Sequence, residues 1–394
     1  MRTDAEEESA LIYGLEAPCR VLAPGPSGSS GDTSGIVRFM VGTQVLRGDN
    51  VVHLLEYMED SHSLCKAVFK HEAGEVWSLS GSPNQQDQHI LTCYSHLSAD
   101  YKVTSKASLW RFPIDLNVSI VDEESGVMPL EKICDFDNGD RISKTAVWRP
   151  EEGTEVLTIG DEKMHVWDVV QRKVKRSIPC LPITSSLSRL SKVTTVKWSP
   201  HSVASILAVA VGANVIGIDM RMSQSAPPIW TLPAHNHFVR DMDFNPNAQY
   251  ILATCGDDCE TRFWDVRNKT APAVSLQSHC HWIWSIRFNQ FHDQLVLSCS
   301  SDSKVLLSRV ASVASQPFGH LLDDSSDDDV LQRTSKKDAG ALTDKIIATF
   351  EEHEDSVYAA EWSTADPWTF ASLSYDGRIV INKVPKNEKM NILF

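Results

Sequence analysis

Three histidines, each followed at fixed distances by a hydroxyl residue and an aspartate, are the residues of this 394-residue chain best equipped for chemistry. His235, Thr254 and Asp258 form the first set, His279, Ser298 and Asp302 the second, His353, Ser372 and Asp376 the third, with the same spacing each time. A histidine between a hydroxyl and a carboxylate is the raw material of nucleophilic catalysis, in which the imidazole takes the hydroxyl proton. Recurrence argues against that use, because an active site is needed once per protein and a structural bond once per repeat. No Gly-x-Ser-x-Gly elbow, no glycine-rich phosphate loop ending in Lys-Ser/Thr and no His-Glu-x-x-His accompanies the sets. They are expected to be hydrogen-bonded structure in a non-enzyme that needs no cofactor. Cys255 and Cys259 flank a Gly-Asp-Asp turn, but zinc needs four ligands and no second pair stands at suitable spacing. No metal site is expected.

Sets placed so regularly require a repeated frame. An aromatic residue follows each histidine by nine positions, at Phe244, Phe288 and Trp362. Between these marks apolar residues alternate, as in ILATC, LVLSC and TFASL, which is the period of a strand. Weaker copies lie upstream. His71 opens one, running through Val76-Trp77 and Thr92 to Trp110. Trp148 leads to Asp161 and Trp167-Asp168, and Trp198 leads to Ile218-Asp219, where isoleucine replaces tryptophan. The common period is about 44 residues once an acidic insertion before His353 is set aside.

Composition narrows the function classes. The chain is 42% hydrophobic and 23% charged, and its net charge of −15 repels phosphate backbones and anionic lipid. Neither nucleic-acid binding nor direct membrane insertion is expected. The N-terminus, MRTDAEEESA, lacks the basic-then-apolar order of a secretory signal, and Val203–Ile218 reads as two buried strands around Gly212-Ala213-Asn214. Nine cysteines without regular spacing read as reduced thiols in a cytosolic protein. The basic run RKVKR at 172–176 reads as the solvated face of an outer strand.

A unit of this length, with histidine, hydroxyl, aspartate and a closing pair such as Trp264-Asp265, resembles the WD repeat, one four-stranded blade of a β-propeller. His235, Thr254, Asp258 and Trp264 would then form a tetrad, the aspartate accepting from histidine and the hydroxyl linking histidine to the indole. The expected fold is all-β: one seven-bladed propeller over 11–394, with blades near 11–60, 64–114, 132–170, 174–221, 229–267, 273–310 and 346–384. The N-terminal blade would use Leu11–Val21, Ile36–Gly42 and Val51–Tyr57, with 390–394 as a closing outer strand. Residues 1–10 and an acidic loop at 320–345 are expected to be disordered.

Diverged stretches refine the resemblance. They include Val239-Arg-Asp-Met-Asp-Phe-Asn-Pro, Cys255-Gly-Asp-Asp-Cys259, Gln316-Pro-Phe-Gly-His320 and Asp366-Pro-Trp-Thr-Phe-Ala-Ser-Leu-Ser-Tyr-Asp-Gly377. None is WD consensus, and together they resemble the family of EARP and GARP complex-interacting proteins. That resemblance implies a non-enzymatic adaptor, monomeric outside its complexes, that binds subunits of the EARP and GARP tethering complexes. It implies roles in endosomal recycling and endosome-to-trans-Golgi transport, with a cytoplasmic protein recruited peripherally to the trans-Golgi network and endosomes.

In WD propellers the offsets of Phe238, Trp282, Asp257 and Tyr375 open onto the narrower face, where partners dock. These four are the candidate contacts, either as interface anchors or as packing against neighbouring loops. A second reading starts from Trp264-Asp265-Val266-Arg267, echoed by Ile218-Asp219-Met220-Arg221. It matches the short Trp-Asp-x-Arg pattern of substrate receptors of cullin-RING ubiquitin ligases, with Arg267 and Arg221 as contacts; local pairing of each arginine with nearby acids is the alternative. Ser325 and Ser326 each precede an acid by three residues, the pattern of acid-directed kinases, and are candidate phosphorylation sites.

Overall fold

Seven antiparallel four-stranded sheets, one extended by a fifth strand, form the blades of a closed ring. The computed structural model describes residues 10–393 except 27–35, 60, 85–86, 98–100, 115, 117–125, 138–141, 151–152, 161–162, 181–192, 202–204, 224–225 and 316–342. The expectations for Asp161, Ser325, Ser326 and nearly all of the 1–10 and 320–345 segments lie outside the described residues.

The innermost strands are Cys19–Pro24, Glu75–Gly81, Ile142–Trp148, Val193–Trp198, Val239–Phe244, Ile283–Phe288 and Val357–Trp362, which define blades 1 to 7. Each packs against its neighbours around the axis, blade 1 meeting both blade 2 and blade 7. Second strands such as Ile251–Gly256 and Leu295–Ser300 are buried almost throughout, because blades cover both their faces. That is why they read as continuous small apolar runs rather than strict alternation. The core lies between blades: Ala253, Cys255 and Phe263 of blade 5 pack on Ile283, Ile286, Phe288 and Val296 of blade 6. Burying each large side chain contributes about 1.5–3 kcal/mol. All nine cysteines are free thiols.

Two expectations need correction. The sequence unit is offset from the blade by one strand, so the expected boundaries cut across the sheets. Strands Ser63–His71, Glu131–Phe136, Lys173–Pro179, Trp230–Leu232, Val274–Gln277 and Lys345–Phe350 each complete the preceding blade as its outer strand. The repeat therefore spans two blades, joining an outer strand to the next blade's inner three. Blade 1 consequently needs no strand from the C-terminus. The closing strand is instead Leu11–Gly14, which pairs with Arg378–Lys383 of blade 7 from Leu11↔Ile381 to Gly14↔Arg378.

Residues 390–393 do not form that strand: Lys386–Leu393 is an α-helix. Pro385 has no N–H to continue the ladder and opens the helix, its carbonyl accepting from Glu388 N and Lys389 N at 2.9 and 3.0 Å. The helix is held by buried Ile392, by Glu388 on Arg309 at 2.8 Å, and by Lys389 over the Trp368 ring.

Candidate partner-docking surface

In blades 1, 5, 6 and 7 the turn between second and third strands is bonded to the link into the first strand, and the two share one face, here the turn face. On it stand the three histidine sets. In blade 5 His235 Nδ1 meets Asp258 Oδ1 at 2.7 Å, His235 Nε2 meets Thr254 Oγ1 at 2.9 Å, and Trp264 Nε1 donates to Thr254 Oγ1 at 3.1 Å. Burial would raise the Asp258 carboxyl, but His235 and the Asn236 N–H together bring it down to about 2. Blade 6 repeats this with His279, Ser298 and Asp302, where Ser308 stands in the tryptophan's place. Blade 7 departs from the expected geometry. His353 Nδ1 bonds Ser374 Oγ at 2.8 Å, and Ser374 in turn donates to Asp376, so the aspartate is reached through a hydroxyl. Burial without a direct carboxylate pushes His353 down to about 4. A further set joins blades 1 and 2: His71, at the end of the outer strand of blade 1, meets Thr92 of blade 2 at 3.0 Å, and Trp110 donates to Thr92 at 2.8 Å. Every one of these histidines is buried, and each bonds the hydroxyl residue on the second strand of the blade whose first strand follows it in the chain.

The other chemistry-bearing residues of this face arise from a recurrent irregularity. In six blades the first strand carries one extra residue at its start, a β-bulge. The pairing skips Arg20, Trp77, Thr194, Arg240, Trp284 and Tyr358. A bulge leaves its extra residue out of the ladder and re-aims its side chain. Five of these six form a continuous aromatic and guanidinium rim. The Arg240 guanidinium lies over Trp284, Trp282 and Phe238 at 4.8, 5.6 and 6.0 Å. The Trp284 ring meets Tyr358 at 4.8 Å, and Tyr358 meets Tyr375 at 5.8 Å. Arg20 then lies over Tyr358, Tyr375 and Trp77 at 4.5, 5.0 and 5.6 Å.

Phe238, Trp282 and Tyr375 therefore belong to one surface, and they retain 51%, 44% and 38% exposure while packing on its bulge residues. Asp257 sits beneath that surface: it grips Arg240 through two bonds of 2.6 and 2.8 Å, and only 11% of its side chain is exposed. Sequence reading missed Arg240, Trp284 and Tyr358, although each stands five residues after its histidine and the same ruler points to them. Arg20 and Trp77 carry no such mark.

On the opposite side of the blades, Arg267 forks onto Asp265 at 2.6–3.2 Å and Arg221 onto Asp219 at 2.7–3.2 Å. These local pairs account for both Asp-x-Arg motifs. Among the described residues no group of three His, Cys, Asp or Glu side chains is placed to hold a metal ion, and no helix is long and apolar enough to cross a membrane.

The EIPR1 beta-propeller family model matches residues 7–308, and the model of the WD domain, G-beta repeat, matches 344–381. EARP and GARP complex-interacting protein 1 of Homo sapiens is 43% identical over 398 residues, covering 98% of this chain and 100% of its own length. The EARP-interacting protein homolog of Danio rerio is 42% identical over the same shares. EARP-interacting protein 1 of Caenorhabditis elegans is 32% identical, covering 97% of this chain and 98% of its own. With the ring, the repeat tetrads and these relatives in agreement along nearly its whole length, the chain belongs to the EIPR1 β-propeller family.

Proposed function

We propose that this propeller is a non-enzymatic adaptor that binds subunits of the EARP and GARP complexes through its turn face. On this reading it is monomeric until bound, reaches endosomes and the trans-Golgi network through those partners, and serves endosomal recycling and retrograde transport. The observation that carries the docking surface is the rim of bulge residues, where exposed aromatic rings are held rigid by stacking on guanidinium groups. Rigid aromatic anchors bind at low entropic cost and dominate interface energies. The buried, internally satisfied histidine sets offer no group that a substrate could reach, which supports a binding role. The test is capture of the tethering complexes by the Phe238→Ala, Trp282→Ala, Tyr375→Ala triple variant. Loss of capture with an unchanged melting temperature is expected. Wild-type capture would move the surface elsewhere. Arg267→Ala, whose guanidinium is already taken by Asp265, is the matched control and should capture normally.

A further inference from the structure

Each bulge residue of blades 5, 6 and 7 is engaged by the turn residue of its own blade. Arg240 is paired by Asp257, Trp284 Nε1 donates to Ser301 Oγ at 2.6 Å, and Tyr358 meets the Tyr375 ring. The backbone makes these positions equivalent, since Asp257 N, Ser301 N and Tyr375 N donate to Phe238 O, Trp282 O and Ser356 O. In blade 1 the matching bond runs from Gln44 N to Pro18 O at 2.8 Å, which sets Gln44 where blade 5 has Asp257 and Arg20 where it has Arg240. Gln44 is buried and turned away: its Nε2 donates to the Val76 carbonyl at 2.8 Å.

The two arginines are thus built alike, each lying against three aromatic rings, but only one has its acid. Arg20 forms no ion pair with any described carboxylate, and its Nε is buried without a hydrogen-bond partner. Guanidinium groups need their planar donors satisfied when water is excluded, and a carboxylate fits that fork best. What sets Arg20 apart is the combination of a buried, unsatisfied Nε with three rings around the guanidinium.

We infer that Arg20 is the open half of a two-part contact. A glutamate or aspartate side chain of a partner protein, laid across blades 7, 1 and 2, completes it between the rings of Trp77, Tyr358 and Tyr375. The inference rests on the turn face being the docking face, and it names the group that face reads. A charge-assisted fork desolvated by three rings is worth tenfold or more in affinity, by the order of about 1.5–3 kcal/mol for hydrogen bonds to charged groups.

The test measures binding of purified EARP complex to the full-length chain by interferometry, with melting temperature as the control for folding. Arg20→Met keeps the stem and removes the fork, and should weaken binding about tenfold or more. Gln44→Glu supplies the acid internally; it should weaken binding to a similar degree while leaving Arg20 in place, so it carries the test should Arg20 variants fail to fold. Arg20→Glu should be rescued by replacing one acidic residue of a partner subunit with arginine, and that rescue identifies the acid. If the triple alanine variant loses binding while Arg20→Met and Gln44→Glu bind like wild type, the face stands and this inference falls. If the triple variant also binds normally, both fall. If Gly-Ser extension of a partner's C-terminus abolishes binding and no side-chain swap rescues Arg20→Glu, the group is a chain end, and the assignment to a side chain is overturned.

Discussion

Arg287 is the charge whose removal most sharply tests how the inner strands hold together. It lies on the first strand of blade 6 and pairs with Asp241 of blade 5 and, at 2.7 Å, with Glu361 of blade 7. Asp243 stands close by, accepting from Phe288 N at 3.0 Å and facing Lys197 of blade 4 at 3.8 Å. One guanidinium thus ties three blades through two carboxylates. Burial pushes the Asp243 and Glu361 carboxyls up, against the pull of the neighbouring cations, and burial opposes the Arg287 charge while Asp241 and Glu361 hold it protonated. Two contacts at about 4 Å between charge centres are worth about 4 kcal/mol each at an effective dielectric near 20. Removing the cation from the folded state also removes its desolvation cost, so Arg287→Met should lose about 3–5 kcal/mol, the range for breaking a buried pair. The 18% exposure of the Arg287 side chain favours the lower end. With an unfolding entropy of about 2 cal/mol/K per residue, that is a fall of about 4–6 °C in melting temperature. The pH dependence is the sharper signature. Carboxyls whose folded pKa exceeds the unfolded value bind extra protons on folding, so they favour the fold more as pH falls. The deficit of Arg287→Met relative to wild type should therefore shrink between pH 7.5 and 5.5 in denaturant titrations. A deficit below 1 kcal/mol, or one that grows on acidification, would refute the assignment.

Three further outcomes are expected of the fold. Asp258→Ala leaves buried His235 Nδ1 without its acceptor and should destabilise the fold by about 1–3 kcal/mol, with partner capture falling only in proportion to folded protein. Gly217→Ala should cost about 1–3 kcal/mol by overpacking, because a Cβ there would come within 2.1 Å of the Trp230 ring; equal melting temperatures for variant and wild type would contradict this. In the wild type, burial brings His71 and His353 down to about 4 from an ordinary 6.5. The unfolded chain takes up those protons first, so these two groups should cost stability progressively as pH falls from 6.5 to 4. Asp258 and Asp302, held at about 2, add their loss below 3.8. Calorimetry of His353→Asn, which cannot titrate, should show a shallower decline over the upper window.

The repeat was legible because its marks are chemical: a histidine, a hydroxyl and an aspartate must meet in space, and so they recur at fixed spacing. The phase of the repeat was not, because nothing local distinguishes an outer strand that completes one blade from one that starts the next. Leu11–Gly14 illustrates the limit. Its four residues pair with a strand more than 360 positions away, and no short-range pattern marks a contact of that range. Asp376 was misplaced by one bond because Ser374 intervenes, a hydroxyl that the spacing rule did not include. On the proposed docking surface the exposed rings were legible and their supports were not. Arg20 becomes a neighbour of Tyr358 and Tyr375 only once the ring is closed.

That closure has a kinetic side. The joint between blades 7 and 1 is a seam made of the strand Leu11–Gly14, the bonds Leu15 N to Gly377 O at 2.9 Å and Cys19 N to Tyr375 O at 3.2 Å, and the pair Lys383–Glu59. Unlike the other joints it rejoins segments from opposite ends of the sequence, so it closes the largest loop and gains least from local chain connectivity. Slow opening of the ring should begin there. Arg20, Tyr358 and Tyr375 sit across that seam, adjacent to its last backbone bond. A partner docked there as proposed would bridge the joint and act as a clasp, slowing opening of the ring and coupling the lifetime of the folded propeller to its binding.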